Sequence, residues 1–91
     1  MKFTWDEAKR KSNLAKHGYD FADAHKAFVQ PIAIQPDQRF HYDEERFIGT
    51  GIVDGDVVLI VFTESITETR IISIRKATKY ETDIYYQTIS N

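Results

Sequence analysis

Arg75 and Lys76 stand side by side where an alternating segment gives way to a helix signal. Two cations fixed at such a corner make a candidate anion-binding site. The segment Arg70-Ile71-Ile72-Ser73-Ile74-Arg75 alternates as a strand does, which predicts Arg70, Ile72 and Ile74 on one face and Ile71, Ser73 and Arg75 on the other. Its isoleucines fit a pleated surface. Thr78 and Glu81 follow at the T-x-x-E spacing of a capping box, so a helix begins there. His17, Arg46 and the tyrosines extend the set. Side chains of these types could act on a phosphodiester. Cleaving RNA without a metal needs a base for the 2′-OH, positive charge at the phosphorane and a proton for the leaving oxygen. His or Glu can serve the first or last need, Arg and Lys the second. Each residue also has an ordinary reading. Charges at a strand end are commonly only solvated. A histidine at a helix C-terminus is stabilised by the macrodipole. Arg46 follows Glu44-Glu45 and can pair with an acid across a hairpin. Residue types alone reach a small domain with a possible anion-binding face.

Other chemistries find little support. The chain has no cysteine, so disulfides, zinc-thiolate sites and a Cys nucleophile are excluded. His17, His25 and His41 are far apart and lack the i,i+4 pairing of a helical metal site, so no metal and no cofactor is expected. Gly49-Thr50-Gly51 lies inside a strand pattern without the helix a phosphate-cradling loop needs, and reads instead as a bulge or a close backbone approach. No G-x-S-x-G elbow occurs. The formal charge of −2 argues against a strongly basic nucleic-acid binder. The charges are nevertheless segregated: Lys9, Arg10, Lys11, Lys16 and His17 in one segment, Arg70, Arg75, Lys76 and Lys79 in another, with acids at 37–45 and around Asp54, Asp56, Glu64 and Glu68.

The elements that must position these residues can be read in order. Phe3-Thr4-Trp5 could form an edge strand. A helix starting near residue 6 or 7, capped by Thr4 with Glu7 or by Asp6, runs to His17 and ends at Gly18. Ala8, Ser12 and Ala15, with Leu14 beside them, are its thin apolar stripe. Asp20 caps a second helix from Phe21 to about Val29 that buries Phe21, Ala24 and Phe28, and Gln30-Pro31 ends it. Ile32-Ala33-Ile34 is a short strand closed by Pro36-Asp37. Residues 37–44 form a loop, where Phe40 and Tyr42 could tuck down. A strand follows from Glu45 to Val53, with Arg46, Ile48, Thr50 and Ile52 on one face. Asp54-Gly55 is a hairpin-turn pair. The strand from Asp56 to Glu64 is apolar on both faces, hence central. The last helix runs from Lys79 towards Ile89, with Tyr80/Ile84 and Tyr85/Ile89 as buried contacts. One α+β domain spanning residues 1–91 results: an antiparallel sheet, two N-terminal helices and a C-terminal one, with helices on one sheet face and the other partly open. No apolar run approaches the ~18 residues of a membrane span, and the N-terminus lacks the apolar stretch of a signal peptide, so a cytoplasmic location is expected.

The chain resembles the BrnT family of toxins from bacterial type II toxin–antitoxin pairs. The matching blocks are Phe3-Thr4-Trp5-Asp6 with Lys9, Asn13 and Lys16-His17-Gly18; Phe21, Ala24 and Phe28; Glu44-Glu45-Arg46-Phe47-Ile48 with Gly51; and Arg70 to Thr78 with Glu81 and Tyr85 or Tyr86. The resemblance implies a RelE-like fold and a metal-independent endoribonuclease that inhibits translation. It implies a BrnA-type ribbon-helix-helix antitoxin as partner, with operator DNA contacted only through that antitoxin. It also implies roles: Arg46 and Arg75 for phosphate and transition-state charge, His17 as acid–base group, Lys9, Lys16, Arg70 and Lys76 for RNA binding, and Glu45 and Glu81 in support. Toxins of this fold are often basic whereas this chain is net acidic. The alternative is therefore a catalytically inactive homologue that binds the antitoxin and serves operon autoregulation.

Overall fold

The computed structural model describes residues 2–39 and 44–90. The expectation that Phe40 and Tyr42 tuck down, and the place of His41, lie outside the described residues. The elements run β1 (Lys2–Trp5), α1 (Glu7–His17), a 3-10 turn (Phe21–Asp23), α2 (His25–Phe28), β2 (Ala33–Pro36), β3 (Phe47–Val53), β4 (Asp56–Glu64), β5 (Glu68–Lys76) and α3 (Lys79–Ser90). One five-stranded sheet has the order β1-β5-β4-β3-β2. The purely antiparallel sheet expected from sequence is corrected here, because β1 pairs parallel to β5 while the other three pairings are antiparallel.

Strand β4 is the middle strand, and its unbroken apolar run is explained by cover on both faces. One core gathers Phe21, Ala24 and Ala27 from the helical segments over Val58, Ile60 and Phe62 of β4 and Ile71 and Ile74 of β5. The second lies on the opposite face, where Tyr85 of α3 packs with Val57, Leu59, Ile52 and Ala33. The helices therefore do not share one face, contrary to the sequence expectation: α3 covers part of the second. The α3 contacts are also narrower than the i,i+4 pairs suggested. Tyr85 is buried, whereas Tyr80, Ile84 and Ile89 are exposed. The second expected helix is a 3-10 turn followed by one α-helical turn, with Phe28 at the rim of the core between the rings of Phe3 and Phe62.

Asp54 and Gly55 take positive φ (49° and 88°), the turn their pairing predicted. Gly51 permits a close approach: a Cβ there would meet Ala27 Cβ at 3.1 Å.

Helix α1 departs most from its pattern. Ala8, Ser12, Leu14 and Ala15 are all exposed, and Asn13 is the buried residue. Polar bonds hold the helix instead. Asp6 is the N-cap, accepting from Lys9 N–H, and Gly18 closes the C-terminus at φ 81°. Arg10 donates to Glu7 and, at 3.0 Å, to Asp20, the cap of the 3-10 turn. Asn13 Nδ2 donates to the carbonyls of Ile74 (2.9 Å) and Tyr19 (3.1 Å), while its Oδ1 accepts from Ile74 N–H at 3.1 Å. β1 stops at Trp5, opposite Ile71, so among the described residues the outer edge of β5 beyond that point has no strand beside it. The Asn13 amide takes the place of a strand partner for Ile74.

Candidate functional site, an arginine face on the sheet

A bulge in β5 decides where its charged residues go. Ser73 pairs with Val61 but Ile71 pairs with Phe62, leaving Ile72 as the extra residue. An extra residue reverses the phase of the strand. Ile71 and Ile74 therefore both enter the first core, and the face assignment made from simple alternation fails. Arg70, opposite Thr63, and Arg75, opposite Leu59, lie on the same face, that of α3. Alternation along β3 puts Arg46 on this face too, one residue before Phe47, which packs against the first core. The Arg46 carbonyl accepts from Asp37 N–H at 2.8 Å.

Arg75 is held by three hydrogen bonds. Its Nη1 and Nη2 each donate to one Glu81 carboxylate oxygen at 2.8 Å, and Nη1 also reaches the Lys76 carbonyl. Glu81 simultaneously completes the predicted capping box, accepting from Thr78 N–H while Thr78 Oγ1 accepts from Glu81 N–H. Chiefly because of the Arg75 bonds, the Glu81 carboxyl is held at about 2. Arg75 is shifted upward by Glu81, opposed by burial and by the nearby Arg39 cation. A carboxyl so acidic is ionised at neutral pH and is a poor proton donor there. Glu81 orients a cation. It also lines a cavity of about 280 Å³ between α3 and the sheet, with Gln35, Thr50 and Leu59 on the floor and Ile84 and Tyr85 on the wall.

The remaining expected site residues are dispersed. Lys76 is exposed at the end of β5, next to Arg75. Arg70 is five residues away, roughly 16 Å along the strand, in a second hollow of about 650 Å³ lined also by Glu44, Glu45, Glu64 and Glu68. Glu45 is thus with Arg70 and not with Arg75. Lys9, Lys16 and His17 are exposed on α1. Asn13 holds the last turns of α1 beside the free edge of β5, one residue along from Arg75. No hydrogen bond or ion pair among the described residues joins His17 to Arg46, Arg75 or Glu81. His25, by contrast, is engaged with the Ala22 carbonyl through Nδ1 at 2.9 Å.

Two residues of this region were not singled out from sequence. Asp37 is buried, and it holds Arg39 through Nε (2.8 Å) and Nη2 (2.9 Å). The only sequence signal was an Asp after Pro36 at a strand end, a turn-forming position whose carboxylate also accepts from Arg39 N–H. Among the described residues no group of three or more His, Asp or Glu gathers as metal ligands would, and no helix is long and apolar enough to cross a membrane.

The arrangement offers the oriented guanidinium of Arg75 to an anion, and among the described residues no cluster of metal ligands stands beside it. A comparison with curated proteins gave no match. Residues 5–81 match the family described as "Ribonuclease toxin, BrnT, of type II toxin-antitoxin system". That match spans most of the 91 residues, and the chain belongs to this BrnT family of ribonuclease toxins.

Proposed function

We propose that the chain is a RelE-like, metal-independent endoribonuclease that acts in the cytoplasm, cleaves RNA and thereby inhibits translation. The observation that carries this reading is the Arg75 guanidinium, fixed two-handed by Glu81 on the sheet face that also holds Arg46. Preorganised cations aimed at a phosphate stabilise the charge that grows on the phosphorane and need no reorganisation during reaction. Arg75 supplies that charge, Arg46 adds a cation on the same face towards the row of Thr63 and Arg70, and Lys76 at the end of β5 contacts the RNA backbone from the neighbouring edge. His17, with Lys16 and Lys9 on the same helix, is the acid–base group. Among the described residues it is the exposed histidine whose ring is not bonded to a carbonyl, and α1 is pinned to the same end of β5. Arg70 and Glu45 act at the far end of the strand, on RNA beyond the scissile bond. The family's type II pairing implies an antitoxin; a BrnA-type ribbon-helix-helix protein fits, with operator DNA contacted only through it.

Inducible expression with RNA integrity read alongside growth tests this. Arrest with RNA cleavage by the parent chain, retained in EDTA by the purified protein and lost in Arg46→Ala/Arg75→Ala, is the expected result. A folded parent that neither arrests growth nor cuts RNA would overturn it. A second reading is favoured by one observation, the four glutamates around Arg70: an inactive homologue whose acidic hollow serves antitoxin binding and operon autoregulation. It predicts antitoxin binding without arrest.

A further inference from the structure

Arg39 has no part in the reading above. We propose that Arg39, oriented by the buried carboxylate of Asp37, is a phosphate-contacting residue that joins Arg75 in gripping the RNA backbone. Two features of the structure carry this. Asp37 is sequestered, with a side chain that is 0% exposed, whereas the Arg39 side chain it holds is 55% exposed. A carboxylate inside and a guanidinium outside present the cation to solvent in a fixed pose. The Arg75–Glu81 pair has the same construction, two parallel N–H···O bonds from a part-exposed arginine to a more buried carboxylate. The segment 37–39 continues from β2, and Asp37 N–H bonds to the carbonyl of Arg46, so the backbone that carries Arg39 is tied to the arginine on the α3 face. The Arg39 cation is also near enough to Arg75 to oppose its charge. Like charges brought together by separate structural devices repel, and a bound polyanion removes that repulsion. Planar bidentate groups suit phosphate oxygens. Asp37 is then a positioning residue for Arg39.

This proposal rests on the RNA-binding part of the proposed function, and the test separates the two. The probe is a short fluorescein-labelled single-stranded RNA with every 2′-OH methylated, which can bind but not be cut. Anisotropy titrations across salt compare the parent, Arg39→Ala, Asp37→Asn/Arg39→Ala and Asp37→Asn. The double variant removes the buried carboxylate charge together with Arg39, and thermal unfolding checks that each is folded. Arg39→Ala and the double variant should each bind about ten-fold more weakly, with the slope of log affinity against log salt reduced by about 0.7 for one lost phosphate contact. Asp37→Asn should weaken binding alone yet add nothing in the Arg39→Ala background, a non-additivity that general destabilisation would not produce. Equal binding by parent and Arg39→Ala overturns the proposal, and parental cleavage of unmodified RNA would leave the ribonuclease reading standing. A parent that binds RNA without cutting it overturns that reading alone. A parent that binds no RNA overturns both.

Discussion

Asn13→Ala should be among the most damaging single changes in this chain, although Asn13 sits on a polar helix. The residue is 8% exposed and its side chain satisfies three backbone groups: the N–H and C=O of Ile74 and the C=O of Tyr19. Leaving a buried backbone group unsatisfied costs about 1–3 kcal/mol. Water can reach part of the vacated space beside an exposed helix, which lowers the sum. The two groups of Ile74 then set the cost, at about 2–4 kcal/mol. For a domain of this size each kcal/mol moves the melting temperature by about 4–8 °C, so a fall of roughly 10–25 °C is expected. Urea unfolding followed by circular dichroism measures it directly. Leu14→Ala is the control, since Leu14 is 40% exposed and its loss should cost under about 1 kcal/mol. If Asn13→Ala fell within about 0.5 kcal/mol of the parent, or if Leu14→Ala cost more, then α1 would be held by apolar contacts and the strand-mimicking role of Asn13 would be refuted.

Glu81→Gln should flatten the acid limb of the stability curve. The folded carboxyl is held at about 2 against an ordinary 4.5, so the unfolded chain takes up its proton first, and this stabilisation is full above about 4.5 and lost as pH falls towards 2. Unfolding free energies of variant and parent should therefore converge over that window; a pH-independent gap would contradict the pairing. Gly51→Ala places a methyl group 3.1 Å from Ala27 Cβ and 3.4 Å from its carbonyl oxygen, so α2 must move, at about 1–3 kcal/mol by denaturant titration. A neutral result would show that α2 is not seated on β3. Tyr85→Phe removes the 2.6 Å bond to the Pro31 carbonyl and should cost about 0.5–1.5 kcal/mol, whereas Tyr85→Ala should cost about 3–5 kcal/mol as a core truncation. Similar losses from both would mean that the ring itself packs against little.

Where local chemistry fixed the structure, the sequence was readable. Gly18, Asp54-Gly55 and the Thr78/Glu81 box are settled by a few neighbouring atoms, and each formed as its residues require. The doubly apolar run of β4 announced a central strand for the same reason, since only cover on both faces tolerates it. What failed depended on partners distant in sequence. The parallel pairing of β1 is made with a strand more than sixty residues later. A polar α1 gave a stripe of small residues to read, while its true attachment was an amide inserted at the edge of β5, 61 residues away. Helix α3 crossed to the second face because Val57, Leu59 and Ile52 needed cover there, a demand that belongs to the sheet and not to the helix.

How the candidate cations share the sheet faces was not legible in the sequence, and the β5 bulge is the reason. Arg-Ile-Ile-Ser-Ile-Arg reads equally well as strict alternation or as two half-strands re-phased by one residue, since apolar residues occupy both parities. Alternation separates Arg70 from Arg75 across the sheet. The bulge returns both to the face of α3, and the choice is made by which isoleucines the core accepts: Ile71 and Ile74 are fully buried and Ile72 is not. Net charge concealed a second division. The −2 total averages over a face whose Arg75 end is backed by the inward carboxylate of Glu81 and whose Arg70 end opens on a hollow that glutamates also line. One sheet face therefore offers two ends of opposite character. Charge segregation within the fold, and not the sum, is therefore what a partner meets on this face.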